Sequence, residues 1–204
     1  MMNASRTLVS TCLSALMLAG CGGIQVGRDV QAGRSALQTG HPEDAVIYLG
    51  RAAESDPDYK LSTRAAQESI LTYLGRAYYE TGDNTKARAV LERALANDGN
   101  DHLAHLYLGL TLYRLNNREQ GRKEIDAGLN GLHAWLDDVT SDSAYGIYWD
   151  PNRTIRLAIE RTLAGKPEAG EFIASAQRIG RQFDSEIDRA RQAELQSNYQ
   201  GGKN

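Results

Sequence analysis

Residues 73–95 read YLGRAYYETGDNTKARAVLERAL, and residues 107–129 read YLGLTLYRLNNREQGRKEIDAGL. Laid over one another at an offset of 34 residues, Leu74 meets Leu108, Gly75 meets Gly109, Tyr79 meets Tyr113, Leu91 meets Ile125 and Ala94 meets Gly128. An earlier stretch, AGRSALQTGHPEDAVIYLGRAAESDP, puts Gly33, Ala36, Gly40, Ala45, Leu49, Ala52 and Pro57 in the corresponding slots. Its offset to the second copy is 42 residues, so about eight extra residues, Lys60 to Gln67, lie between them. They are expected to lengthen the start of the next helix. Repetition at such a period marks stacked supersecondary units that share a continuous core.

The slots follow helix-packing physics. Gly33, Gly75 and Gly109 are small where two helices of a hairpin would cross closely, and Ala45 and Ala87 are small on the second helix facing that crossing. Leu49, Leu91 and Ile125 would fill the space between hairpins. Gly40, Gly82 and Asn116 suit the left-handed residue that ends a first helix. Asp83 and Asn117 suit the cap of the second helix, and Pro42 suits its first turn.

A helical unit of 34 residues with this spacing resembles the tetratricopeptide repeat, over about Val26 to Trp135. The resemblance implies an all-α, α-solenoid fold of antiparallel helix hairpins closed by a C-terminal helical cap, with repeats at about 26–59, 68–101 and 102–139. The third copy departs from the pattern. Gly121 and Gly128 replace alanines, each at about 1 kcal/mol of helix propensity. The series Ile125, Leu129, Leu132, Leu136, Val139 carries its second helix to about Val139.

Residues 140–150 read as an aromatic loop holding Tyr145, Tyr148 and Trp149. Asp150-Pro151 looks like a cap and first-turn pair for a helix carrying Ile155, Ala158, Ile159 and Leu163. Residues 151–196 are then C-terminal helices, and the stretch to about Asp184 reads as a degenerate fourth repeat. Phe172, Ala176, Ile179, Phe183 and Ile187 form one apolar face, suited to covering the last hairpin. Residues 197–204 lack an apolar payload and read as a disordered tail.

At the other end, Arg6 is the only charge before a short apolar run that closes on Leu18-Ala19-Gly20-Cys21. This tetrad resembles the lipobox of bacterial lipoproteins. It implies a signal peptide over 1–20, lipidation of Cys21, and a short tether over 21–25. Gly22 after the cysteine implies the periplasmic face of the outer membrane, or the outer face of the cell membrane in an organism with one membrane. Cys12 would leave with the signal peptide, so the mature chain would have neither a free thiol nor a disulfide. Its 22 basic and 26 acidic residues give a net charge of −4. No basic stripe points to nucleic acid.

No G-x-S-x-G, phosphate-cradling glycine loop or H-E-x-x-H motif occurs. His102 and His105 read as solvated or cap-region side chains, and Asp137, Asp138, Asp142 and Asp150 lack calcium-loop spacing. No catalytic residue, metal or cofactor is therefore expected. The repeat resemblance implies a concave groove lined by the first helix of each hairpin. Arg34, Leu37, Thr72, Arg76, Tyr79, Leu106, Leu110 and Tyr113 would face it, with Val30 beside them. Arginine forks and tyrosine faces suit an extended peptide with acidic or polar groups. The lysine–asparagine clamp of chaperone-binding members is missing, since Val30, Thr72 and Leu106 fill one of its rows. The expectation is a lipid-anchored, non-catalytic protein-binding scaffold or assembly factor for an envelope complex of the pilotin, secretion or exopolysaccharide kind. The alternative is a lipoprotein enzyme or solute-binding accessory that uses Tyr145, Tyr148 and Trp149.

Overall fold

A computed structural model describes residues 23–63, 65–142, 146–165 and 168–201. The lipobox, Cys21 and Tyr145 lie outside the described residues. Among the described residues there are eight α-helices: α1 (23–38), α2 (Pro42–Ser55), α3 (Ile70–Thr81), α4 (Asn84–Asn97), α5 (His102–Arg114), α6 (Arg118–Asp142), α7 (Thr154–Ala164) and α8 (Ala169–Gly201). The fold is all-α, a solenoid of three helix hairpins, α1/α2, α3/α4 and α5/α6, followed by α7 and α8.

The hairpins close where small residues meet large ones. A Cβ built on Gly33 would stand 2.5 Å from Leu49 Cγ, and one on Gly75 would stand 2.4 Å from Leu91 Cγ. At Gly109 the obstacle is backbone, with Ile125 N at 2.5 Å and Gly121 O at 2.6 Å. Gly40 (φ 78°), Gly82 (φ 85°) and Asn116 (φ 63°) make the left-handed turns that reverse the chain. Asp83 caps α4 by accepting from Lys86 N at 3.1 Å, and Pro42 opens α2. The Asn117 side chain instead donates to Gln120 Oε1 at 3.0 Å.

The glycines that look like defects in the third hairpin are its closest contacts. A Cβ on Gly121 would lie 2.9 Å from both Gly109 O and Tyr113 N. One on Gly128 would lie 2.6 Å from Leu106 N. Their helix-propensity cost is the condition for α5 and α6 to touch backbone to backbone.

Four local expectations need correction. The insert after the first repeat does not lengthen α3. It forms an antiparallel hairpin, β1 (Lys60–Ser62) and β2 (Gln67–Ser69), with Leu61 opposite Glu68. Thr63 Oγ1 accepts from Ala66 N at 2.8 Å, a local bond that competes with helix. Next, α1 already begins at 23, inside the expected tether. Then, α7 starts at Thr154, so Pro151 precedes it. Asp150, at φ 39°, still caps it from outside, accepting from Ile155 N (3.0 Å) and Arg156 N (3.2 Å). Finally, α8 continues to Gly201, into the stretch expected to be a tail.

Glycine substitutions separate the two roles this residue plays. Gly109→Ala should lower the free energy of unfolding by roughly 1–3 kcal/mol through overpacking. Gly50→Ala, in α2 with nothing within 4 Å of its Cβ, should raise it by about 0.5–1 kcal/mol. Denaturant midpoints of the two variants should move in opposite directions; a shared direction would contradict the packing described.

Candidate functional site: the concave face and its helix

The concave face of the repeats is occupied by α8. The apolar stripe Phe172, Ala176, Ile179, Phe183 and Ile187 is buried throughout. It does not merely cap the last hairpin, because it packs on α5 and its polar contacts reach α3 and α1. Tyr79 on α3 receives a hydrogen bond from the Gln177 amide. Gly180 lies against Leu106 and Tyr107, where a Cβ would stand 3.0 Å from the Tyr107 hydroxyl.

Asp184 is fully buried between the groove's two arginines. Arg34 Nη2 donates to Asp184 Oδ1 (3.1 Å), and Arg76 Nη1 donates to Asp184 Oδ2 (2.9 Å). The side chains of all three residues are no more than 2 % exposed. Arg34 Nη1 also reaches Asp188 Oδ1 at 2.7 Å, where Gln38 donates to the other oxygen. Arg76 Nε reaches Glu80 Oε1 at 2.7 Å. Beneath each guanidinium lies a tyrosine ring from the neighbouring repeat helix, Tyr73 under Arg34 (5.0 Å) and Tyr107 under Arg76 (5.5 Å). Burial opposes the charge on Arg34, but Tyr73, Asp184 and Asp188 more than offset it, so its pKa is raised above the ordinary arginine value. Charged, forked hydrogen bonds of this kind hold where an unpaired buried ion would not.

Every residue expected to line the groove is therefore accounted for, and the groove itself is not open. Val30, Leu37, Thr72, Leu106 and Leu110 are buried core. Thr72 Oγ1 donates to Asp101 Oδ2 at 2.5 Å. Tyr79 is buried with Arg114 stacked on its ring at 3.7 Å. Tyr113 is half-buried at the rim, near Phe172 and Arg122. The expected recognition of an acidic segment by Arg34 and Arg76 is met within the chain by an α-helix carrying Asp184 and Asp188. Those two acids were missed. Their signal was an aspartate beside the apolar stripe of a helix that had to be buried.

The aromatic loop is likewise packed inward where it is described. Trp149 is 1 % exposed and meets Trp135 edge-on at 4.7 Å between ring centroids. Phe183 of α8 closes the cluster, 5.7 Å from Trp135. Tyr148 is half-buried against the same core. Asp137 and Asp150 both serve Arg156, at 3.1 Å each. His105 Nδ1 pairs with Glu124 Oε2 at 2.7 Å. Among the described residues, no three His, Cys, Asp or Glu side chains converge on a metal position. No described helix is long and apolar enough to cross a membrane.

Residues 74–128, the second hairpin and the first part of the third, match the tetratricopeptide-repeat family. The match and the helix hairpins together support a tetratricopeptide-type helical repeat over this stretch. No curated protein matches the chain in sequence.

Asp184→Ala would leave two buried guanidinium groups without their shared anion. Unfolding free energy should fall by about 3–5 kcal/mol, and amides of α8 should exchange with solvent faster than those of α5. An Asp184→Ala protein as stable as wild type would rule out the clamp as described. Trp149, measured in a Trp135→Phe background, should resist quenching by acrylamide; ready quenching would place it outside the core.

Proposed function

We propose that this protein is a lipid-anchored scaffold of the bacterial envelope, one that binds a protein partner and carries out no chemistry of its own. The observation that carries the binding part is the run of tetratricopeptide repeats, matched over residues 74–128. The anchor rests on Leu18-Ala19-Gly20-Cys21 behind an apolar run. A cysteine diacylated there and N-acylated holds a domain firmly, as one chain alone does not. Gly22 after the cysteine favours the periplasmic face of the outer membrane. Because α1 begins at 23, the lipid would be separated from the first repeat by a single residue. At about 3.3–3.6 Å per residue the domain would ride within roughly 10 Å of the bilayer. The partner is then a membrane-embedded or membrane-proximal component of a pilotin-like, secretion or exopolysaccharide assembly. It meets the repeats with their groove already filled, so the outer faces of the hairpins are the surface on offer.

Two experiments bear on the two halves of this reading. Cys21→Ser should abolish incorporation of labelled palmitate and leave the unprocessed precursor. Wild-type processing and membrane retention of that variant would sink the anchor. Photo-crosslinkers placed at the exposed positions Ile47 and Leu115 in intact cells should give a discrete heavier adduct. Absence of adducts from these and other positions across the repeats would reject the scaffold.

A further inference from the structure

A furrow runs between α7 and α8. At one end it widens to a hollow of about 620 Å³, between the start of α7 and the stretch of α8 from Arg178 to Arg189. At the other it narrows to about 280 Å³ beside Arg161 and Ser175. Arg178 borders both parts, and Ile155, Ala158 and Ile179 lie along the floor. Arg178 and Arg181 stand one turn apart on the α8 bank, and Arg161 stands on the α7 bank. All three arginines are exposed.

Elsewhere, arginines between helices are matched by acids. Arg34 and Arg76 share Asp184, and Arg156 holds Asp137 and Asp150. Among the described residues no ion pair involves Arg161, Arg178 or Arg181. Every aspartate and glutamate side chain but that of Asp142 is described, and one carboxylate cannot serve three arginines spread over two helices. Of the acids that border the furrow, Glu186 is held by Arg189 (2.7 Å) and Asp150 by Arg156 (3.1 Å). That leaves Glu171 alone against the three arginines. The surplus of cations is local, because the whole chain carries a net charge of −3. Like charges one turn apart on a helix repel, so the free protein bears a repulsion that a bound anion would relieve.

We propose that the furrow between α7 and α8 binds an extended acidic segment of the protein partner through Arg161, Arg178 and Arg181. In an extended chain successive side chains leave on opposite sides, and alternate ones lie about 6.6–6.8 Å apart on the same side. Three acidic residues in a row therefore send the first and third toward Arg178 and Arg181, about 4.5 Å apart along the helix axis. The middle one turns to Arg161 on the other bank. Each guanidinium fork donates two parallel hydrogen bonds to a carboxylate. A trough between two helices favours a chain lying along it over a flat layer of lipid headgroups. That the segment belongs to a protein partner rests on the scaffold reading, whereas the furrow's preference for an acidic chain does not. A peptide probe therefore tests the furrow alone, and the photo-crosslinking above tests the scaffold.

The probe is the acetylated, amidated peptide Ala-Glu-Glu-Glu-Ala, titrated into the full-length protein at low ionic strength and followed by calorimetry. It should bind saturably, and its counterpart with three glutamines should not. Arg178→Ala combined with Arg181→Ala should weaken binding about tenfold or more, and Arg161→Ala about threefold. Arg93→Ala removes an exposed arginine of α4 that is likewise in no ion pair among the described residues, and should change the affinity by less than about twofold. All four arginines are exposed, so these variants keep the fold. No saturable binding, or equal binding of the glutamine peptide, would overturn the proposal. So would a loss in Arg93→Ala as large as in the double variant, because the whole protein's charge and not the furrow would then hold the peptide. Glycerophosphoglycerol, a free lipid headgroup, binding as tightly as the glutamate peptide would also overturn it, since the furrow would then select phosphate. Saturable binding of the peptide without any photo-crosslinked adduct would reject the scaffold and leave the furrow's preference standing.

Discussion

One carboxylate organises this molecule. Asp184 is shared by Arg34 and Arg76, which come from equivalent slots of the first two repeats. The repeat register places the two guanidinium groups side by side in the groove, and two buried like charges demand an anion between them. With Asp184 in place, α8 is fixed along its axis and about it. Gly180 then has to sit on Tyr107, Gln177 on Tyr79, and Phe183 on the tryptophan pair. The apolar stripe of α8 supplies most of the favourable free energy of docking, being proportional to area. The ion pairs contribute less net stability than direction, because a buried pair roughly balances its own desolvation while its absence is severely unfavourable.

This division of labour explains why a groove of apparent peptide-binding character is closed. A helix tethered to the same chain meets the groove at the effective concentration of an intramolecular reaction. A free segment of similar chemistry would have to exceed that advantage and replace both the stripe and the anion. The ring faces of Tyr73 and Tyr107 beneath the guanidinium groups raise the requirement further, since they reward a ligand that keeps both arginines flat. With the groove filled, the hairpin backs and the rim are the surfaces that the repeats leave exposed.

Much of the solenoid was legible in the sequence because its rules are local or periodic. Gly75 against Leu91 and Gly33 against Leu49 recur at a fixed offset, and Gly40, Gly82 and Asn116 announce left-handed turns by residue type alone. The stripe from Phe172 to Ile187 declared a buried face but not the surface that buries it, since periodicity carries no information about which distant element is the neighbour. The β-hairpin escaped because its ten residues hold no helical period to contradict and its turn depends on one threonine hydroxyl. Gly121 and Gly128 were misjudged for the opposite reason. Propensity scales count what a glycine costs its own helix, whereas here the close approach of α5 decides the matter.

The third hairpin shows how these levels constrain one another. Backbone contact at Gly109, Gly121 and Gly128 draws α6 tightly onto α5, and α6 then runs past the ordinary end of a repeat to Asp142. That extra length carries Leu136 and Val139 into the core and sets Trp135 where it meets both Trp149 and Phe183. Trp135 thereby joins three things at once: the end of the repeats, the loop that leads to α7, and the helix that fills the groove. A looser α5/α6 crossing would shift Trp135, and Phe183 could then no longer lie against it while Asp184, the next residue, stayed between Arg34 and Arg76. The small residues of the third repeat are for that reason as much a part of the arginine clamp as the arginines.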